Sequence, residues 1–107
     1  MDERPLEGID QMIAWFTKGN KPKADWRIGT EHEKFAFYTD DFSPVPYEGD
    51  RGIEALLKGM QTELGWEAIT DEGRIIGLAG PAGAGAISIE PGGQFELSGA
   101  PLETIHQ

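Results

Sequence analysis

Residues 87–99, ISIEPGGQFELSG, constrain the fold more tightly than any other part of the chain. Two runs alternate apolar and polar residues around Pro91-Gly92-Gly93, the pattern of a β-hairpin. Side chains alternate across a strand, so parity assigns faces. Ser88, Glu90, Gln94, Glu96 and Ser98 form one set, and Ile87, Ile89, Phe95 and Leu97 the other. Keeping both sets whole across the turn requires a three-residue loop, with Glu90 opposite Gln94 and Ser88 opposite Glu96. A two-residue loop would set Ile89 against Glu96 and mix the faces, which burial of one face opposes. The polar face then carries carboxylates where Ser, Thr or Lys would serve a plain solvent surface.

WRIGTEHEKFAFYT, residues 26–39, reads by its β-formers and period-2 alternation as a long strand. Glu31 and Glu33 are two apart and project from one face, roughly 7 Å apart along the strand. Phe35 and Phe37 continue that face, so a polar mouth is expected to run into a packed aromatic floor. His32 and Lys34 point the other way. Gly29 leaves room for a close approach.

Two helices are predicted. Residues 5–17 place Ile9, Met12, Ile13 and Phe16 at helical spacing, with Pro5 near the start and Gly19-Asn20 as a C-terminal stop. Residues 53–64 place Ile53, Leu56, Leu57, Met60 and Leu64 on one stripe, ended by Gly65. Both stripes are expected to be core. DDFSPVPYEGDRG between them reads as a loop, and WEAIT and RIIGL as a hairpin joined by Asp-Glu-Gly. AGPAGAGA reads as a flexible connection. APLETIHQ resembles a first helical turn, with Pro101 and Glu103 where a helix start favours them. Such a helix has no length to bury an apolar face before Gln107, which implies a chain that stops in mid-structure.

The 107 residues suit at most one small domain. Nine Lys and Arg against nineteen Asp and Glu give a formal charge of −10. That surface repels phosphate backbones and anionic lipid, which argues against nucleic-acid and membrane partners. No Cys is present, so disulfides, thiolate nucleophiles and sulfur-ligated zinc are excluded within this stretch. The opening MDERPLEG is unlike a signal or transit peptide, and no apolar run approaches a membrane span. A soluble, cytoplasmic protein is expected.

Should the strand at 26–39 and the hairpin share a sheet, four carboxylates and one amide oxygen converge on one surface. A divalent cation resolves the repulsion among them. Mg²⁺ takes hard oxygen ligands, keeps several waters and is often shared with substrate phosphates. Mg²⁺ with nucleotide is thus the functional reading of Glu31, Glu33, Glu90 and Glu96. The competing reading is an acidic solvent face, which Glu-x-Glu on an antiparallel strand commonly makes. No Gly-Lys-Ser/Thr follows AGPAGAGA, so it is no P-loop, and E-H-E-K is not H-E-x-x-H. Gly92-Gly93 can offer backbone N–H groups to a phosphate, although the turn alone accounts for them. Arg27 and Arg74 can neutralise a carboxylate or phosphate, with ordinary surface ion pairs as the default. His32 reads as a surface or second-layer residue, and His106 supports no role.

RIGTEHEKFAFY, SPVPYEGDRGIEALLKGMQ, LGW, IIGLAG and ISIEPGGQFELSGAPLETIHQ together resemble the start of glutamate–cysteine ligases of the plant and alphaproteobacterial type. The resemblance runs from about Trp26 to Gln107. It implies an α+β, glutamine synthetase-like catalytic fold, with an antiparallel sheet around an active-site funnel and helices outside. Residues 1–107 would be the N-terminal part of that single catalytic domain. It also implies a reaction: ATP phosphorylates the γ-carboxylate of glutamate, and the amine of cysteine attacks the acyl phosphate to give γ-glutamylcysteine, the first step of glutathione synthesis. Glu31, Glu33, Glu90 and Glu96 would be Mg²⁺ ligands, and Gln94 a secondary ligand or a substrate contact. The implied partners are glutamate, cysteine and ATP. Further substrate-binding groups would lie beyond Gln107, leaving this stretch inactive alone. The alternatives are a related carboxylate–amine ligase using another amine, or an inactive metal-binding fragment.

Overall fold

The structure is a computed structural model that describes residues 5–107. The first half of MDERPLEG, on which the expectation of no signal peptide partly rests, lies outside the described residues. Helix α1 (Ile9–Lys18) is followed by a single 3₁₀ turn at Lys23–Asp25, strand β1 (Glu31–Phe35) and helix α2 (Ile53–Leu64). Strands β2 (Glu67–Asp71), β3 (Arg74–Ala79), β4 (Gly85–Glu90) and β5 (Gln94–Gly99) complete the chain. The five strands form one sheet in the order β1-β5-β4-β3-β2, antiparallel throughout. This is the α+β arrangement expected. Among the described residues no helix is long and apolar enough to cross a membrane.

Turn chemistry sets the meander. Glu72 and Gly73 both take positive φ (46° and 80°) between the paired Asp71 and Arg74, the backbone of a two-residue hairpin turn. The β4–β5 loop is Pro91-Gly92-Gly93, with Glu90 paired to Gln94 and Ser88 to Glu96. The three-residue loop deduced from parity is the one that forms. Between β2 and β3 the register slips: Ile69 pairs with Gly77, but Thr70 pairs with Ile75. Ile76 is therefore an extra residue in β3, and the bulge lets Ile75 and Leu78, three apart, both turn inward.

The core lies between α2 and one face of the sheet. Ile53 and Leu57 of α2 meet Ile75, Leu78 and Ile87, with Tyr47, Met60, Trp66, Ile89 and Phe95 packed around them. Before α2, the carbonyls of Pro46 and Tyr47 accept from the Ile53 and Glu54 N–H groups, satisfying two of the free donors of the helix start. Gly65 closes the far end in the left-handed conformation (φ 66°), its N–H bonded to the Gln61 carbonyl. The Tyr47 hydroxyl donates to the Ile75 carbonyl at 2.6 Å and ties the preceding loop to β3.

Four expectations are corrected. The stripe on α1 is not core: no residue of α1 is buried, and Phe16 is 74% exposed. Helical period creates an apolar stripe but does not supply the surface that covers it. The long strand at 26–39 shrinks to Glu31–Phe35. Residues 23–25 turn as a 3₁₀ helix, Ile28 makes only an isolated bridge to Leu102, and Phe37 only one to Pro44. Phe35 and Phe37 form no packed floor. They are 62% and 55% exposed, and Phe37 rests against Phe42, whose positive φ of 60° bends the chain back. Finally, APLETIHQ starts no helix. Leu102 exchanges both backbone hydrogen bonds with Ile28, and the Gln107 side chain accepts from the Glu103 and Thr104 N–H groups. The free backbone donors are thus used in a bridge and a turn.

Candidate active-site face

Pairing between β1 and β5 decides whether the carboxylates meet. Glu31 stands opposite Ser98, Glu33 opposite Glu96, and Phe35 opposite Gln94. Continuing across β5, Glu96 stands opposite Ser88 and Gln94 opposite Glu90. Directly opposed residues share a face, so Glu31, Glu33, Glu90, Gln94 and Glu96 all lie on one side of the sheet. Their strand neighbours Ile87, Ile89 and Phe95 belong to the packed side. The acidic face is therefore the one turned away from α2.

Glu33 and Glu96 are cross-strand partners, and such partners have Cβ atoms about 4.5–5.5 Å apart. Like charges directly opposite one another destabilise a sheet. A purely structural sheet gains nothing from that pair. Beyond Glu96, the same row continues through Ser88 to Gly77, and the row of Glu31 continues through Ser98 to Ala86 and Ala79. The carboxylates thus border a low floor of small residues. Gly77 is obligatory there because a Cβ would strike the Ile87 carbonyl oxygen. Neither this floor nor its glycine was anticipated from sequence, since both depend on which residues of neighbouring strands stand opposite one another.

Serine hydroxyls orient two of the carboxylates. Ser88 Oγ donates to Glu90 Oε1 at 3.2 Å, and Ser98 Oγ donates to Glu96 Oε1 at 3.1 Å. The Ser-x-Glu and Glu-x-Ser spacing was the available signal for these contacts, because residues two apart on a strand share a face. All four of these side chains belong to half-buried residues, whereas Glu31 and Glu33 are exposed.

The donor set is carboxylate and amide oxygen on neighbouring rigid strands, the chemistry that Mg²⁺ prefers. As the side chains stand, no three metal-ligating groups among the described residues are gathered closely enough to hold an ion. The register brings their Cβ atoms to one patch; side-chain rotation would have to close it.

The remaining candidates are placed differently. Arg27 precedes β1, where its guanidinium donates to the carbonyls of Trp26 (2.7 Å) and Ala24 (3.2 Å) and lies 3.8 Å from a Glu103 oxygen. Arg74 pairs with Glu48 at 2.7 Å and lies over the Tyr47 ring. The Glu48 bond raises the Arg74 pKa further above its ordinary value. Gly92 and Gly93 both have positive φ, 80° and 78°, and a Cβ on Gly93 would come within 2.8 Å of Ile53 Cδ1. The turn and the packing against α2 thus require both glycines. The groups with shifted acidity lie away from the acidic face. The Ser43 N–H bond holds Asp41 below the usual carboxylate range, and the Lys58 ammonium does the same for Glu54. His32 is exposed on the α2 side, where it borders an apolar groove of about 510 Å³ with Lys34, Leu56, Met60 and Leu97.

An antiparallel sheet with one face against a helix and the other lined by oxygen donors defines an α+β protein. Comparison with known proteins narrows this class. The model of glutamate–cysteine ligase family 2 (GCS2) matches residues 27–107, and the chain belongs to that family. It is 50% identical over 98 residues to glutamate–cysteine ligase A, chloroplastic, of Oryza sativa subsp. japonica, which covers 92% of this chain and 19% of the relative. The chloroplastic glutamate–cysteine ligase of Nicotiana tabacum is 49% identical over 98 residues, 92% of this chain and 18% of its own length. That of Medicago truncatula is 49% identical over 103 residues, 96% of this chain and 19% of its own length. The chain therefore spans about a fifth of the length of the curated relatives it matches.

Proposed function

We propose that this chain contributes the acidic wall of the catalytic domain of an ATP-dependent glutamate–cysteine ligase with glutamine synthetase-like architecture. One observation carries the reading: the family match at 27–107 contains every strand that brings Glu31, Glu33, Glu90 and Glu96 to one face. In the reaction, a γ-carboxylate oxygen of glutamate attacks the terminal phosphorus of ATP, and the bond to the ADP oxygen breaks. The cysteine amine nitrogen then attacks the acyl carbon, phosphate leaves with the bonding electrons, and the nitrogen loses a proton. The product is γ-glutamylcysteine.

Phosphoryl transfer depends on positioning and charge neutralisation rather than on covalent chemistry by the protein. Two anions, glutamate and ATP, must meet beside a face that is itself negative. Glu31, Glu33, Glu90 and Glu96 are assigned as Mg²⁺ ligands, and Gln94 as a further ligand or substrate contact. These residues would hold Mg²⁺, and the ion would supply positive charge to offset the anionic reactants. The sheet contributes rigidity: carboxylates on hydrogen-bonded strands keep their spacing when charge is brought in. Arg27 and the Gly92-Gly93 backbone are secondary assignments as anion contacts, since Arg27 already pairs with Glu103 and the glycines already serve a turn. Glutamate, cysteine and ATP are the proposed partners, with neither nucleic acid nor membrane among them. The cytoplasm is the proposed compartment, on the Cys-free composition; cell fractionation distinguishes it from the chloroplast named for the plant relatives.

The test is ADP release by the intact protein, expected to require glutamate and cysteine together, with residues 1–107 alone inactive. Turnover with a different amine from a panel, and none with cysteine, would replace this reading with a related ligase. No nucleotide turnover under any condition would leave a non-catalytic metal-binding module.

A further inference from the structure

The hydroxyls of Ser88 and Ser98 stand in a mirrored arrangement. Strand β4 reads Ser-Ile-Glu and β5 reads Glu-Leu-Ser, so antiparallel pairing sets Ser88 opposite Glu96, while Ser98 faces Glu31 across the β1 side. Each hydroxyl donates to the glutamate of its own strand, Ser88 to Glu90 and Ser98 to Glu96, and each reaches Oε1. An ionised carboxylate only accepts hydrogen bonds, so each serine proton has one carboxylate oxygen as its acceptor. The second oxygen of each glutamate has no side-chain hydrogen bond among the described residues and is open to another partner. Glu31 and Glu33, on the edge strand, are exposed and have no orienting side-chain hydrogen bond among the described residues.

We propose that Ser88 and Ser98 are positioning residues that pre-set Glu90 and Glu96 for a divalent cation, while Glu31 and Glu33 close on it from the edge strand. The inference rests on the ligase reading above and adds a division of labour to it. Holding one oxygen restricts the rotamers of the two inner carboxylates before the cation arrives, so less side-chain freedom is lost on binding. Partners that orient a metal ligand in this way typically contribute about 10- to 100-fold in metal affinity or activity.

The experiment is a Mn²⁺ titration of the intact protein followed by electron paramagnetic resonance, with no nucleotide present. Ser98→Ala and Ser88→Ala are expected to weaken Mn²⁺ binding by about tenfold. The apparent KM for metal should rise, while kcat at saturating metal and the melting temperature stay near wild type. Ser98→Thr keeps the hydroxyl and should restore affinity; it also keeps the test decisive should the alanine variant fail to fold. Glu96→Gln should lose the site. Wild-type Mn²⁺ affinity in both serine variants, with loss in Glu96→Gln, would overturn the positioning role and leave the ligase reading standing. Wild-type affinity in Glu90→Gln and Glu96→Gln as well would show that the cation is held elsewhere, and the positioning role and the metal-ligand assignment would fall together, while ADP release would still decide the ligase reading.

Discussion

The two faces of one sheet make opposite use of the same alternation. Toward α2, Leu78 is fully buried and Ile75 and Ile87 are 5% exposed, so this face is held by removal of apolar surface from water. Away from α2, the same strands present Glu90, Glu96 and, through β1, Glu31 and Glu33, with no buried charged residue among those described. The first face explains why the sheet exists. The second is paid for by the first: directly opposed Glu33 and Glu96 contribute repulsion, which the packed side must outweigh. The apolar core and the acidic surface are thus separated by parity, and substitutions on the two faces should separate in the same way.

The largest effect is expected on the packed face. Leu78→Ala should destabilise the chain by about 3.5 kcal/mol, the middle of the range for a fully buried leucine, read as a shift in the urea midpoint. A loss near zero would mean that α2 does not cover β3. Gly77→Ala should approach that cost, because its Cβ would strike the Ile87 carbonyl oxygen and force β3 away from β4; loss of amide protection in both strands is the readout. On the acidic face, Glu31→Gln and Glu96→Gln should each lower turnover of the intact protein on the order of 100-fold. Their melting temperatures should hold or rise, since each change removes one like charge. Equal losses of stability on both faces would break the comparison. The smallest effect is expected on α1: Ile13→Ser should change stability by no more than about 0.5 kcal/mol, as for other exposed positions. A larger loss would show that the α1 stripe is covered in solution.

The contrast between the helices shows where periodicity stops being informative. The segments at 5–17 and 53–64 carry equally regular stripes, yet Ile53 and Leu57 are buried and nothing in α1 is. α2 has a partner because the bulge at Ile76 turns both Ile75 and Leu78 toward it. That bulge has no period of its own and appears only once β2 and β3 are paired. Residues 26–39 fail similarly. Alternation continues through Phe37, but the strand ends at Phe35 because the chain bends at Phe42 and hands the Ala36 carbonyl to the Val45 N–H.

Alternation and turn chemistry, both local, were enough to define the β4–β5 hairpin, its three-residue loop and which side each of Glu31, Glu33, Glu90, Gln94 and Glu96 takes on its own strand. A strand's own residues do not say which strand lies beside it. Only the tertiary pairing of β1 with β5 turned separate Glu-bearing strands into one acidic surface, opposed Glu33 to Glu96 and left the α1 stripe uncovered. The physical reason is range: side-chain alternation is a property of consecutive bonds, whereas neighbouring strands are chosen by burial and hydrogen bonding summed over the whole sheet.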